Sequence, residues 1–260
     1  MPIPDRLNPT FAERPAAPAR SDSLEAARNR LIVALDVPDA ASATALVERL
    51  EGTYRWFKVG MELFTAAGPE VLEPLIKRGH SVFLDLKFHD IPNTVAGALR
   101  SAAGLGVRMV NVHAAGGPAM LAAAREALAG FADPPELLAV TMLTSMDEAQ
   151  TSAIGYDRSP AEQVELLARM TLKAGIRGFV CSAQEVAALR ALTGPEGVLV
   201  TPGIRPAGSA KGDQSRIATP GEALKQGASY LVVGRPISQA ADPAEAAEAV
   251  LREMAEALAG

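Results

Sequence analysis

From Leu31 to the C-terminus the chain repeats one pattern: a short apolar run of strand length, then a longer Ala-rich stretch whose apolar positions recur at helical spacing. Eight runs read as strands: Leu31–Leu35, Trp56–Val59, Ser81–Leu86, Met109–Val112, Leu137–Met142, Gly178–Cys181, Val198–Thr201 and Tyr230–Val233. The stretches between and after them predict helices over Ala40–Leu50, Pro69–Arg78, Thr94–Leu105, Pro118–Leu128, Pro160–Ala174, Ala183–Leu192, Pro220–Gln226 and Pro243–Leu258. Several begin with Pro, whose missing N–H is harmless in a first turn, and several stop at a glycine, among them Gly79, Gly106, Gly175 and Gly227. Strands that are apolar almost throughout need cover on both faces, and parallel crossovers need helices. Eight strand–helix pairs therefore predict an α/β fold of the (β/α)8 TIM-barrel class, a single domain over residues 30–260. An open doubly wound sheet is the competing arrangement. Against it, Asp36-Val-Pro-Asp39 follows the first strand where a Gly-rich dinucleotide fingerprint would stand.

Residues 1–29 have no sustained period and are rich in Pro, Ala and Arg, which predicts a mobile extension with room for one short helix near Leu24. Composition changes the picture in three places. With 48% hydrophobic and 21% charged residues among 260, the chain can bury a real core. Its single cysteine, Cys181, excludes an internal disulfide and a Cys-rich zinc site and suits a reducing cytosol, so a cytoplasmic protein is expected. A net charge of -5 argues against nucleic acid as a partner, because duplex binding needs a concentrated basic face. A few well-placed Lys and Arg could still hold a small anion. No stretch approaches the roughly 18 apolar residues of a membrane span, so no membrane partner is expected.

In such a barrel, function belongs at the C-terminal strand ends. Those ends are polar: Asp36, Lys58, Asp85 and Lys87, Asn111 and His113, Thr144 and Ser145, Ser182, Thr201 and Arg235. Asp85 and Lys87 are two apart, so regular strand alternation places both inside the barrel while Leu84 and Leu86 face the helices. A structural ion pair is the plain alternative, but burying one is costly and seldom needed for stability. With Lys58 on the preceding strand and Asp90 just beyond, the set alternates two acids and two bases, which can keep a lysine charged and ready to donate a proton.

The last two strands lead into Thr201-Pro-Gly-Ile-Arg205 and Val233-Gly-Arg235, where barrel enzymes often bind phosphate. A Gly/Ser-rich connection follows, Ala207-Gly-Ser-Ala-Lys-Gly-Asp-Gln214, with the composition of a closing lid. His80 reads as a turn residue at the opposite end. His113, with no ligand-spaced partner in sequence, reads as a hydrogen-bonding residue behind the site, and Cys181 as a buried thiol.

The run Phe83-Leu-Asp85-Leu-Lys87-Phe-His-Asp90-Ile-Pro-Asn-Thr94 resembles the signature of the orotidine 5'-phosphate decarboxylase family. The resemblance extends to Leu31–Asp36, Phe57–Phe64, Asn111–Gly117, Val140–Ser145, Thr201–Pro206, Gly212–Gln214 and Val233–Pro236, in the order of the family's bacterial form. It implies a cofactor-free and metal-free decarboxylase of orotidine 5'-monophosphate acting in pyrimidine biosynthesis. Asp36 and Lys58 would hold the ribose hydroxyls, and Asp85, Lys87 and Asp90 would surround C6 of the pyrimidine. Thr144 and Ser145 would face the pyrimidine edge, while Gln214, Gly234 and Arg235 would grip the phosphate with Arg205 near the closing loop. It further implies a homodimer in which Asp90 and Thr94 act in the neighbouring subunit's site. Two alternatives stay open: a metal-dependent sugar-phosphate decarboxylase or aldol-type synthase on the same fold, and a catalytically silent barrel that keeps a nucleotide site. Lys58, where the metal-dependent relatives would be expected to place a metal-binding acid, speaks against the first.

Overall fold

The eight apolar runs form eight parallel strands that close on themselves: β1 (Leu31–Ala34), β2 (Trp56–Gly60), β3 (Ser81–Phe88), β4 (Met109–His113), β5 (Glu136–Val140), β6 (Gly178–Val180), β7 (Val198–Thr201) and β8 (Tyr230–Val233). Each pairs with the next in sequence, and β8 returns to β1 with Ile32 beside Val232. The computed structural model describes residues 20–50, 54–206 and 217–260. The barrel abolishes sheet edges, which explains how strands this apolar need no charged edge residues.

Strand alternation sorts the side chains into two cores. Ile32, Ala34, Phe83, Met109, Leu138, Val140, Val180, Val200 and Val232 fill the barrel interior, joined by Trp56, Val198 and Tyr230. Their neighbours Leu31, Val33, Phe57, Val59, Leu84, Val110, Val112, Phe179 and Leu231 point outward into the larger core beneath the helices. The indole of Trp56 meets the ring of Tyr230 edge-on at 5.3 Å across the interior. By the same parity Lys58, Asp85 and Asn111 belong to the interior set, stacked on the C-terminal side of this apolar plug.

The surrounding helices are α1 (Arg20–Arg28), α2 (Ala40–Arg49), α3 (Met61–Ala67), α4 (Leu72–Lys77), α5 (Pro92–Gly104), α6 (Gly117–Leu128), α7 (Glu148–Ala153), α8 (Pro160–Lys173), α9 (Ala183–Thr193), α10 (Pro220–Lys225), α11 (Arg235–Ser238) and α12 (Pro243–Ala259). Pro opens several of them, and Ser159, Ser182 and Thr219 complete capping boxes with Glu162, Glu185 and Glu222. Three short helices escaped the sequence pattern. Both α3 and α11 start directly from a strand-end glycine with no loop to announce them, whereas α7 did carry a signal, the cap Asp147 that accepts from the Gln150 N–H. Within the stretch expected to be a mobile extension, residues 20–28 are helical: α1 packs on α12, with Ala27 fully buried. Residues 1–19 lie outside the described residues.

Strand β3 departs from the regular alternation inferred from sequence. Leu84 pairs with Val110, but the next pair is Phe88 with Val112, so four steps along β3 answer two along β4. This irregularity holds Lys87 in a left-handed backbone, with φ of 52°. Asp85 and Lys87 do meet, but through a bulge and not through an unbroken pleat.

Candidate active site

The C-terminal mouth of the barrel holds a cavity of about 360 Å³ whose lining includes Asp36, Lys58, Asp85, Lys87, Thr144, Arg205, Gly234 and Arg235. These residues come from the ends of six strands, scattered from position 36 to 235, and only closure of the barrel brings them together.

Four of them form a continuous line of alternating charge. Lys58 Nζ donates to Asp36 Oδ1 at 2.8 Å and lies 3.5 Å from Asp85 Oδ2, while Lys87 Nζ donates to Asp85 Oδ1 at 2.7 Å. Lys58 and Asp85 are the buried centre of the line; Lys87 and Asp36 are progressively more open. Burial works against the charge on Lys58, but the carboxylates of Asp85 and Asp36 outweigh it and hold the ammonium above the ordinary lysine range. For Asp85 burial again opposes ionisation, and Lys58, Lys87 and a hydrogen bond from Asn111 overcome it, keeping the carboxyl below the ordinary aspartate range. Each inner charge is therefore sustained by its neighbours, and removing one would strand the others in a poorly solvated place.

The side of the cavity that follows β7 and β8 is cationic. Arg205 is 8% exposed, with Nη1 donating to the carbonyl of Ile204 at 2.9 Å and its backbone N–H to Ala218 at 2.9 Å. Burial and the nearby positive charge of Arg235 both make the Arg205 guanidinium less favourable in its charged form. Two cations facing one cavity favour an anionic group between them. Gly234 keeps that side open, because a Cβ there would approach Asp36 Oδ2 to 3.3 Å.

Several residues singled out from sequence stand apart from this line. The Asp90 carboxylate accepts the Ile91 N–H at 2.6 Å, and both Asp90 and Thr94 are exposed at the start of α5, beside an Ile91 that is 67% exposed. Thr144 lines the cavity, whereas Ser145 is exposed and does not. Gln214 and the rest of the proposed lid, 207–214, lie outside the described residues. Cys181 is fully buried under the helices, and His80 packs edge-on against Phe57.

Three features were not read from sequence. Asn111, fully buried, accepts the Lys87 N–H and donates to Asp85 Oδ1, each at 2.7 Å. The imidazoles of His89 and His113, 24 residues apart in sequence, lie 5.4 Å apart at the mouth, a neighbour relation that the sequence spacing did not announce. Gly60, at the end of β2, leaves the space into which the Lys58 ammonium folds. Asn111 and His113 were legible as polar strand ends and Gly60 as a glycine at the end of a barrel strand, but the contacts they make were not. Among the described residues, no three His, Cys, Asp or Glu side chains converge as a metal site would require, and no helix is long and apolar enough to cross a membrane.

Known proteins are similar to this chain in sequence and in fold. The family described as Orotidine 5'-phosphate decarboxylase / HUMPS matches residues 29–250. An orotidine 5'-phosphate decarboxylase of Moorella thermoacetica is 54% identical over 234 residues, covering 88% of this chain and 93% of that protein. One from Nitrosococcus oceani is 53% identical over 227 residues, covering 87% of this chain and 98% of that protein. The crystal structure of orotidine 5'-phosphate decarboxylase from Lactobacillus acidophilus superposes with a TM-score of 0.75 at 40% identity, covering 86% of this chain and 98% of that one. With the barrel fold and nearly the whole length of these relatives in common, the chain belongs to the orotidine 5'-phosphate decarboxylase family.

Proposed function

We propose that this protein decarboxylates orotidine 5'-monophosphate to UMP and CO₂, with no metal or organic cofactor. The observation that carries the reading is the line Asp36–Lys58–Asp85–Lys87, which sets an ammonium group at one end of a partly buried charge array, in a cavity that two arginines also line. The phosphate is held by Arg235 and the backbone at Gly234, with Arg205 behind and Gln214 from the adjoining connection. Asp36 and Lys58 take the ribose hydroxyls, and Thr144 and Ser145 the pyrimidine edge. The C6 carboxylate then lies among Asp85, Lys87 and the Asp90 of a second subunit.

In the reaction the C6–carboxylate bond breaks heterolytically and CO₂ departs, leaving its electron pair in the ring plane at C6. No adjacent carbonyl can delocalise that pair, so the site has to stabilise it as localised charge. The Lys87 ammonium does so first by proximity and then by transferring a proton from Nζ to C6, which completes UMP; solvent restores the lysine proton. Phosphate contacts, remote from the bond that breaks, supply binding energy for closing the site.

A homodimer is part of the reading. Asp90 and Thr94 sit on exposed backbone at the rim, outside their own subunit's charged line, where a second copy could receive them. A cytoplasmic location accords with one buried thiol. The deciding experiment follows orotidylate absorbance with purified protein in EDTA. Loss of absorbance with UMP formed is the expected result; no turnover, or turnover only after a divalent metal is added, would overturn the proposal.

A further inference from the structure

Among the described residues Lys87 is the one non-glycine with positive φ, at 52°. A residue with a long side chain pays on the order of 1 kcal/mol for this backbone and keeps it only where surrounding structure imposes it. The conformation falls inside the interval where β3 and β4 lose their register, between the pairs Leu84–Val110 and Phe88–Val112.

Asn111 lies within that interval on β4 and is fully buried. Its side-chain amide is used at both ends. Oδ1 accepts the Lys87 backbone N–H at 2.7 Å, and Nδ2 donates to Asp85 Oδ1 at 2.7 Å. The same Asp85 oxygen receives Lys87 Nζ at 2.7 Å, so one rigid, planar amide ties the lysine's backbone to the carboxylate that holds its ammonium. The titratable groups around this amide are Asp85 and Lys87 on β3, Lys58 on β2 facing Asp85, and the His89–His113 pair at the rim.

We infer that Asn111 is a positioning residue for Lys87: it selects the left-handed backbone that aims the ammonium into the cavity, and it fixes which Asp85 oxygen the ammonium meets. The inference rests on the reading of Lys87 as proton donor. Asn111 acts through Lys87 and Asp85 and touches no substrate atom.

The test uses the intact protein, Asn111→Ala and Asn111→Asp. For Asn111→Ala, kcat should fall about 10²-fold, the scale of a misplaced reacting group, while UMP binding by calorimetry stays at the unsubstituted value. Its crystal structure should show Lys87 relaxed to negative φ or its ammonium parted from Asp85. In Asn111→Asp one oxygen can still accept the Lys87 N–H, but the other opposes Asp85 until it takes a proton and becomes a donor again. Its kcat relative to the unsubstituted protein should therefore climb as pH falls. Unchanged kcat in Asn111→Ala, joint loss of kcat and UMP binding, or a Lys87 that keeps both φ and its Asp85 contact would each overturn the inference. If Asn111→Ala does not fold, a relative kcat for Asn111→Asp that is flat with pH overturns it. Should the unsubstituted protein fail to turn over orotidylate, the functional proposal falls separately, and the crystal structure of Asn111→Ala still decides whether Asn111 sets the lysine's backbone.

Discussion

A methyl group on Gly60 would stand 3.0 Å from the ammonium nitrogen of Lys58. The backbone there, φ -94° and ψ -177°, accepts alanine without strain, so the conflict is with the site and not with the fold. Because the opposing atom is the end of a flexible side chain, Lys58 can yield, and yielding moves it from Asp36 and Asp85. Gly60→Ala should lower kcat about tenfold by misplacing that charge, with a thermal melting temperature close to that of the parent. Parent-like kinetics would show that the Lys58 position is not critical.

His113 should make the protein sensitive to mild acid. Burial, then the neighbouring His89 and Lys87, hold its imidazole below the ordinary value of 6.5. The folded state thus keeps His113 neutral while the unfolded chain takes up a proton near 6.5, so stability drops as pH descends through that value toward the lower folded one. Melting curves across this window should fall less steeply for His113→Gln than for the parent. Parallel curves would assign the acid sensitivity elsewhere.

The phosphate role proposed for Arg235 predicts that its removal weakens binding more than chemistry. An ion-assisted hydrogen bond contributes roughly 1.5–3 kcal/mol, so Arg235→Ala should raise the UMP dissociation constant roughly 10- to 100-fold, with uridine binding little changed. Equal losses for nucleotide and nucleoside would place Arg235 away from the phosphate.

A shared site predicts complementation. Lys87→Ala and Asp90→Ala homodimers should each be nearly inactive, while a mixed dimer contains one site free of both substitutions. After subunit exchange at equal concentrations, activity should return to about a quarter of the parent, since half the dimers are mixed and each has one good site. No recovery despite demonstrated exchange would mean that Asp90 does not act across a subunit boundary.

Helix α1 should count toward stability. Ala27 is fully buried where α1 packs on α12, and an unpaired carboxylate cannot be solvated there. Ala27→Asp should cost roughly 3 kcal/mol in a denaturant titration. A change below about 0.5 kcal/mol, the range of surface substitutions, would show α1 to be detachable.

The periodicity of the chain was enough for the barrel. Near-continuous apolar runs such as Leu31–Ala34 and Tyr230–Val233 reveal buried parallel strands because both faces of each need cover, and the Pro and Gly punctuation marks the helices between. Short helices that spring from a strand-end glycine, α3 and α11, have too few residues to show a period. Lys58, Asp85 and Lys87 were legible as a set because charged residues interrupt strands that are otherwise apolar. Asn111 was visible only as one polar strand end among many.

What the sequence determined by itself was parity and order: which residues face inward along each strand, and that the inward polar ones cluster at one end of the barrel. What only the tertiary structure decided was contact. Closure sets β1 beside β8 and so brings Gly234 within reach of Asp36, 198 residues away in the chain. The bulge between β3 and β4 turns Lys87 into a conformation that no local propensity favours, and it persists because Asn111 from the next strand holds it. Local pattern encodes the direction of a side chain along its own strand; the partner it meets depends on register between strands, which is a property of the closed barrel.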